Sequence, residues 1–491
     1  MRLMEWRRSL GWVAALAVAL PLSGCAAMFS GYDLTPSGLT RDEDAFRRAI
    51  AFEASKAYQS VIDGRRSLPD DDLLRLLYGG IAGRYAGAFQ ESSRLLDVAS
   101  YLAEDRVTLS LSREALSLVT SDRALAYVPG ATERLMIPYI AALNHLDAGD
   151  LDGAAVEARR LEAFLDQVYD GTPPTDRPAD ARFLHYLAGA IFEAAGDWAA
   201  ADVAYRRAGG LPGTPLMPWD REAARIDATR HDQVDTVATG DVIVLVERGF
   251  VPHRVEQSVV IVLPPAQISM LTEGSAGEKA LAATEAAARI LLTASAQSAQ
   301  YGRPGDFYRD RRYRSGLHLE PWEDDDEESK GNPYLLRISW PVLYQEPPTA
   351  APVGVRAGDA RAVEVARLDV GAGVRRDFDD QRTTMLARTV ARAASKVVVS
   401  AAVEESLGKR DEELGRVAGF LTNLGTLATE RADTRAWHLL PDEVAMMRIN
   451  LPAGTHHLTL DRSDGDGAGT DLGAVTVRPG RTTFVSTRLW R

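Results

Sequence analysis

Asp433, Thr434 and His438 stand close together in the stretch Ala432-Asp433-Thr434-Arg435-Ala436-Trp437-His438-Leu439-Leu440-Pro441. A carboxylate, a hydroxyl and an imidazole are the groups of nucleophilic catalysis, the acid orienting the ring and the ring taking the hydroxyl proton. The sequence offers no second half of such a site. It has no His-Glu-x-x-His pair for zinc, no Gly-x-Ser-x-Gly elbow and no phosphate loop ending in Gly-Lys-Ser or Gly-Lys-Thr. The stretch therefore reads as a structural or contact motif. His456 and His457 are neighbours in an alternating strand pattern, so they face opposite sides and cannot share a metal by themselves. Asp461 to Gly467 reads as a turn. Taken as a calcium loop from Asp464, it would put Val475 where a bidentate acid is required. Glu323 to Glu328 are all acids, a run kept solvated by its own repulsion that could attract divalent cations or a basic partner. No cofactor is expected.

Cys25 is the single cysteine, which excludes a disulfide framework and a thiolate-rich metal site. Arg2, Arg7 and Arg8 precede an uncharged apolar stretch from Leu10 to Leu22, too short for a stop-transfer helix and closed by small residues. The ending Leu22-Ser23-Gly24-Cys25 resembles a bacterial lipobox, in which the thiol carries a diacylglycerol and the freed amine a further acyl chain. Several acyl chains give stable membrane attachment where one would be marginal. Ala26, rather than Asp, follows the cysteine; by resemblance to other lipoproteins this implies sorting to the outer membrane, facing the periplasm. No later stretch is long and apolar enough to span a membrane, so the lipid is the expected anchor.

The elements behind these residues come from a chain of 491 residues, 46% hydrophobic and 25% charged, which predicts several globular domains. A formal charge of −13 argues against nucleic acid as a partner. The expected division is a signal peptide at 1–24, a tether at 25–39, a helical domain at 40–209, a linker at 210–239 and an α+β domain at 240–491. In the helical part apolar residues recur at three and four, as in Leu73, Leu74, Leu77 and Ile81. Gly83-Arg84-Tyr85 with Ala88, Gly149-Asp150-Leu151 with Ala154 and Gly196-Asp197-Trp198 with Ala201 share one pattern. A glycine permits a tight turn between helices, and a small residue five positions on lets them approach, as in tetratricopeptide (TPR) hairpins. The uneven spacing of the three units leaves a non-repetitive bundle open. Tyr139, Tyr186, Trp198 and Tyr205 on these hairpins are candidates for a peptide groove as well as for the core.

In the second half, Val242–Val246 and Val259–Leu263 read as buried strands joined in a long hairpin. Strands are also expected at 334–343, 362–370, 446–451, 456–460, 474–477 and 482–489. Pro452-Ala453-Gly454 and Arg478-Pro479-Gly480 are expected to act as hairpin turns. Helices are expected at 221–230, 278–297, 378–407 and 414–429.

Tyr127-Val128-Pro129-Gly130-Ala131-Thr132-Glu133-Arg134-Leu135-Met136 and Ala154-Ala155-Val156-Glu157-Ala158-Arg159-Arg160 resemble an uncharacterised family of Gram-negative envelope lipoproteins with TPR-like N-terminal halves. Val242–Val246, Ala432–Pro441 and Leu451–His456 are similar to that family's C-terminal half. The resemblance implies a role in envelope assembly and carries no catalytic residues. The expectation is a non-enzymatic, lipid-anchored periplasmic scaffold whose partners are periplasmic or outer-membrane proteins. An envelope hydrolase with its site in the C-terminal half, or a structural subunit of a secretion apparatus, are the alternatives.

Overall fold

The computed structural model describes residues 39–64, 71–113, 126–169 and most of 171–217, then 238–263, 334–347, 352–408, 431–462 and 469–490. Cys25 with its signal and tether, the acidic run 323–328, and the helices expected at 221–230, 278–297 and 414–429 lie outside the described residues.

Seven described helices precede the first strand. The first, α1 (Arg41–Ile62), opens with a reciprocal cap: the Thr40 hydroxyl accepts from the Glu43 N–H at 3.2 Å, and the Glu43 carboxylate from the Thr40 N–H at 3.0 Å. It is followed by α2 (Asp72–Tyr85), α3 (Phe89–Arg113), α4 (Ala131–Asp147), α5 (Leu151–Val168), α6 (Ala179–Ala195) and α7 (Trp198–Arg207). Asp71, Asp150 and Asp197 cap α2, α5 and α7 by accepting first-turn N–H groups.

Three helical hairpins result, α2–α3, α4–α5 and α6–α7, turning at Gly87, Gly149 and Gly196. These three have φ of +77°, +76° and +84°, a left-handed backbone that strains any residue with a Cβ. The first turn differs from the sequence expectation. Gly83 lies inside α2, where a Cβ would come 3.1 Å from the Tyr58 ring. Its smallness serves a close approach to α1, and the turn falls at the next available glycine.

The second half contributes β1 (Thr239–Arg248), β2 (His253–Leu263), β3 (Tyr334–Tyr344), β4 (Pro352–Ala357) and β5 (Ala360–Asp369). After the helix α8 (Val370–Gly408) come β6 (Glu443–Pro452), β7 (Gly454–Arg462), β8 (Thr470–Val477) and β9 (Thr482–Leu489). An α+β layout therefore follows the helical half. Seven strands form one sheet in the order β8-β7-β4-β5-β6-β1-β9, and β2 pairs only with β3. The edge strands β8 and β9 are joined by the short link 478–481, so the sheet must curl until its edges approach, almost closing a barrel.

Three expected hairpins are not formed. Val242–Val246 and Val259–Leu263 lie in different sheets, because β1 pairs antiparallel with β6 and parallel with β9. Pro452-Ala453-Gly454 does not fold β7 back on β6; β7 pairs with β4 and β8. Nor does Arg478-Pro479-Gly480 pair β8 with β9, which lie at opposite ends of the strand order. The physical reason lies in β1. Val242, Val244 and Val246 face the curled sheet's interior with Met447, Leu458 and Leu460, while Ile243 and Leu245 face the helices. A strand buried on both faces must be central, which a terminal hairpin would not allow. The core that holds Ile243 and Leu245 also contains Leu77, Tyr139, Leu187 and Trp437, so it runs without a break from the helical layer onto the sheet.

Candidate functional site

The Ala432–Pro441 stretch crosses between the helices and the sheet. The Trp437 N–H donates to Glu133 of α4 at 2.8 Å, and Arg47 of α1 donates to the His438 carbonyl at 3.1 Å. The Tyr78 hydroxyl of α2 lies 3.1 Å from the Ala436 carbonyl and 2.6 Å from His438 Nδ1. One proton assignment satisfies both contacts: Tyr78 donates to Ala436, and His438 Nδ1–H donates to Tyr78. Nε2 then carries a lone pair, and it is buried with no partner. Burial first, then the positive charge of Arg47 and the neighbouring His253, hold His438 well below the usual histidine range. The ring is neutral.

His253 does converge on His438, with ring centroids 6.1 Å apart, and Glu346 joins the cluster by its ion pair with Arg47. Both histidines are sealed, at 1% and 2% exposure. Asp433 turns to Arg435 at 2.8 Å. Asp433 and His438 are thus not assembled into a catalytic pair, and the stretch ties three helices to the sheet. His456 bonds the Pro452 carbonyl at 2.7 Å, while His457 faces Asp471. Among the described residues no three His, Cys, Asp or Glu side chains are arranged to hold a metal ion.

Three of the four aromatic candidates are core residues. Tyr139, Tyr186 and Tyr205 are buried, and Trp198 packs partly buried against the core. Tyr139 donates to Glu247 of β1 at 3.3 Å, and Tyr205 donates to Glu193 at 2.6 Å. Tyr186 packs edge-on against Tyr205, ring centroids 5.1 Å apart. Tyr139 of α4 and Tyr186 of α6 lie on the side covered by the chain's own sheet, and Tyr205 of α7 accepts from Arg448 of β6 at 3.1 Å. Periodicity identifies an apolar face but does not say what covers it.

An open site lies on the opposite side of the helical layer. A groove of ≈ 540 Å³ runs between α3 and α5, with Arg134, Ile137 and Pro138 of α4 at its floor. Tyr101 stands on the α3 wall at 69% exposure. On the α5 wall, Glu157 pairs through one oxygen with Arg160 at 3.0 Å, and Arg160 also holds Asp97 at 2.6 Å. The second oxygen of Glu157 is buried without a partner, and burial raises this carboxyl's pKa. Arg134 lies 5.2 Å over the Phe164 ring; among the described residues its guanidinium makes no hydrogen bond or ion pair, and its Nε is buried. Pro138 has no N–H to offer the Arg134 carbonyl one turn earlier, so that carbonyl lacks its usual helical donor.

Sequence reasoning passed over these residues. Arg134, Glu157 and Arg160 fall within the two stretches that carry the family resemblance, yet as sequence they look like ordinary helix-surface charges. The available signal was a proline inside a strong helical pattern, four residues after Arg134. Comparison with protein-family models, with curated proteins and with solved structures gives no match.

Proposed function

We propose that this protein is a lipid-anchored scaffold on the periplasmic face of the outer membrane, held by Cys25 and offering the α3–α4–α5 groove to a segment of an envelope protein. The three glycine-turned hairpins are read as degenerate TPR-like units. The usual inner face of such a layer is taken up by the sheet in cis, which leaves the groove on the outer side for a partner. The observation that carries the reading is the groove itself: its volume suits several side chains, and buried polar atoms of Arg134 and Glu157 in it have no partner among the described residues. Such atoms cost about 1–3 kcal/mol each when left unsatisfied, so a ligand that supplies a donor and an acceptor gains on both. A binding role fits better than catalysis because the convergent histidines are shut away from solvent.

The test is photo-crosslinking in living cells. A photoreactive residue in place of Tyr101 should give a discrete protein adduct, whereas one in place of Val363, 62% exposed on β5, should not. Adducts at neither position, or the same adducts at both, would contradict the proposal.

A further inference from the structure

Building on the docking role proposed for the groove, we infer that the docked segment carries an acidic side chain whose carboxylate pairs with Arg134. Arg160, the other cation of the groove, is already matched by Asp97 and Glu157. Among the described residues Arg134 has no acid of its own, and its half-buried guanidinium lies over the Phe164 ring with Nε buried. A guanidinium takes a carboxylate best through two parallel N–H bonds, and the buried Nε beside an Nη is one such edge.

The rest of the groove fits a polypeptide better than a free anion. The Glu157 oxygen, unpartnered among the described residues, calls for a donor, which a backbone N–H supplies. Phe164, Ile137 and Tyr101 offer apolar surface beside the cation. Glu104, on the α3 wall and without an ion pair among the described residues, repels a carboxylate from that side. The acidic residue is thereby directed to the α4–α5 side of the groove.

The probe is a positional-scanning library of short peptides, N-acetylated and C-amidated so that only side chains carry charge, offered to the full-length protein in detergent. Asp or Glu should be selected at a fixed offset from an apolar residue. Arg134→Gln should weaken the selected peptides by about tenfold or more, as expected for a charge-assisted bidentate pair, with thermal unfolding unchanged. Arg134→Lys should restore part of the loss. An absence of acidic selection, or the same selection by Arg134→Gln, would overturn the inference. Peptides that bind without acidic preference, and that Ala163→Trp excludes by filling the groove, would keep the docking role and reject the carboxylate. If no peptide binds and Tyr101 yields no adduct in cells, both proposals fall.

Discussion

Arg448 of β6 and Glu193 of α6 meet in the interior at 2.9 Å, their side chains only 4% and 5% exposed. Glu193 also accepts from the Tyr205 hydroxyl of α7 at 2.6 Å and from the Thr482 hydroxyl of β9 at 2.9 Å. Asp241 of β1 shares the same Nη2 of the guanidinium. One carboxylate and one guanidinium thus gather two helices and three strands. Removing one partner of such a pair leaves the other charged and dry, which costs far more than the pair's net worth.

Arg448→Ala should therefore destabilise the protein by about 3–5 kcal/mol. Adding Glu193→Ala should cost less than the two single losses together, because the second change relieves the charge stranded by the first. Chemical unfolding of the three variants measures this. Additive losses would show that the residues do not act as a pair.

His438 gives stability an acid dependence. Its folded pKa lies well below the value near 6.5 of an unfolded histidine, so the unfolded chain takes up a proton that the folded chain refuses. Stability from this residue is complete above about pH 6.5 and declines as pH falls, by at most about 1.4 kcal/mol per unit. His438→Gln, which does not titrate, should flatten that slope. The check is unfolding free energy measured from pH 7.5 down to pH 5; an unchanged slope would contradict the assignment.

Gly189→Ala tests the closeness of α6 and α7. A Cβ at this position would lie 2.9 Å from the Tyr205 ring, which Glu193 and Arg448 hold in place. Overpacking of about 1–3 kcal/mol should exceed the gain of up to about 1 kcal/mol from replacing a helical glycine. A lowered melting temperature is the expected reading, and a raised one would show that Tyr205 yields.

Anchoring is tested by Cys25→Ser. The serine cannot form the thioether, so the protein should leave the membrane fraction for the soluble one. Unchanged membrane fractionation would contradict lipidation.

The helices were legible because their signals are local: a 3.6-residue period and glycine turns. The same locality explains the misplaced first turn, since Gly83 and Gly87 look alike until Tyr58 is known to lie against one of them. Strand positions were legible from the apolar runs, but their partners were not. Val242–Val246 announces burial on both faces, yet nothing within it specifies β6 and β9, which lie some two hundred residues away. The groove was hidden for a related reason. Arg134 and Glu157 become a site only when α3 and α5 stand on either side of α4. Conversely, the conspicuous tyrosines were claimed by a sheet whose path the helical sequence does not record.

The docking role is tested most directly by comparing the adduct formed in cells from position 101 with and without Ala163→Trp. Ala163 is exposed on the α5 wall, so the indole fills the groove without entering the core. Docking predicts that the adduct disappears while the protein's level and thermal unfolding stay the same. The same adduct at the same yield would show that the partner does not sit in the groove.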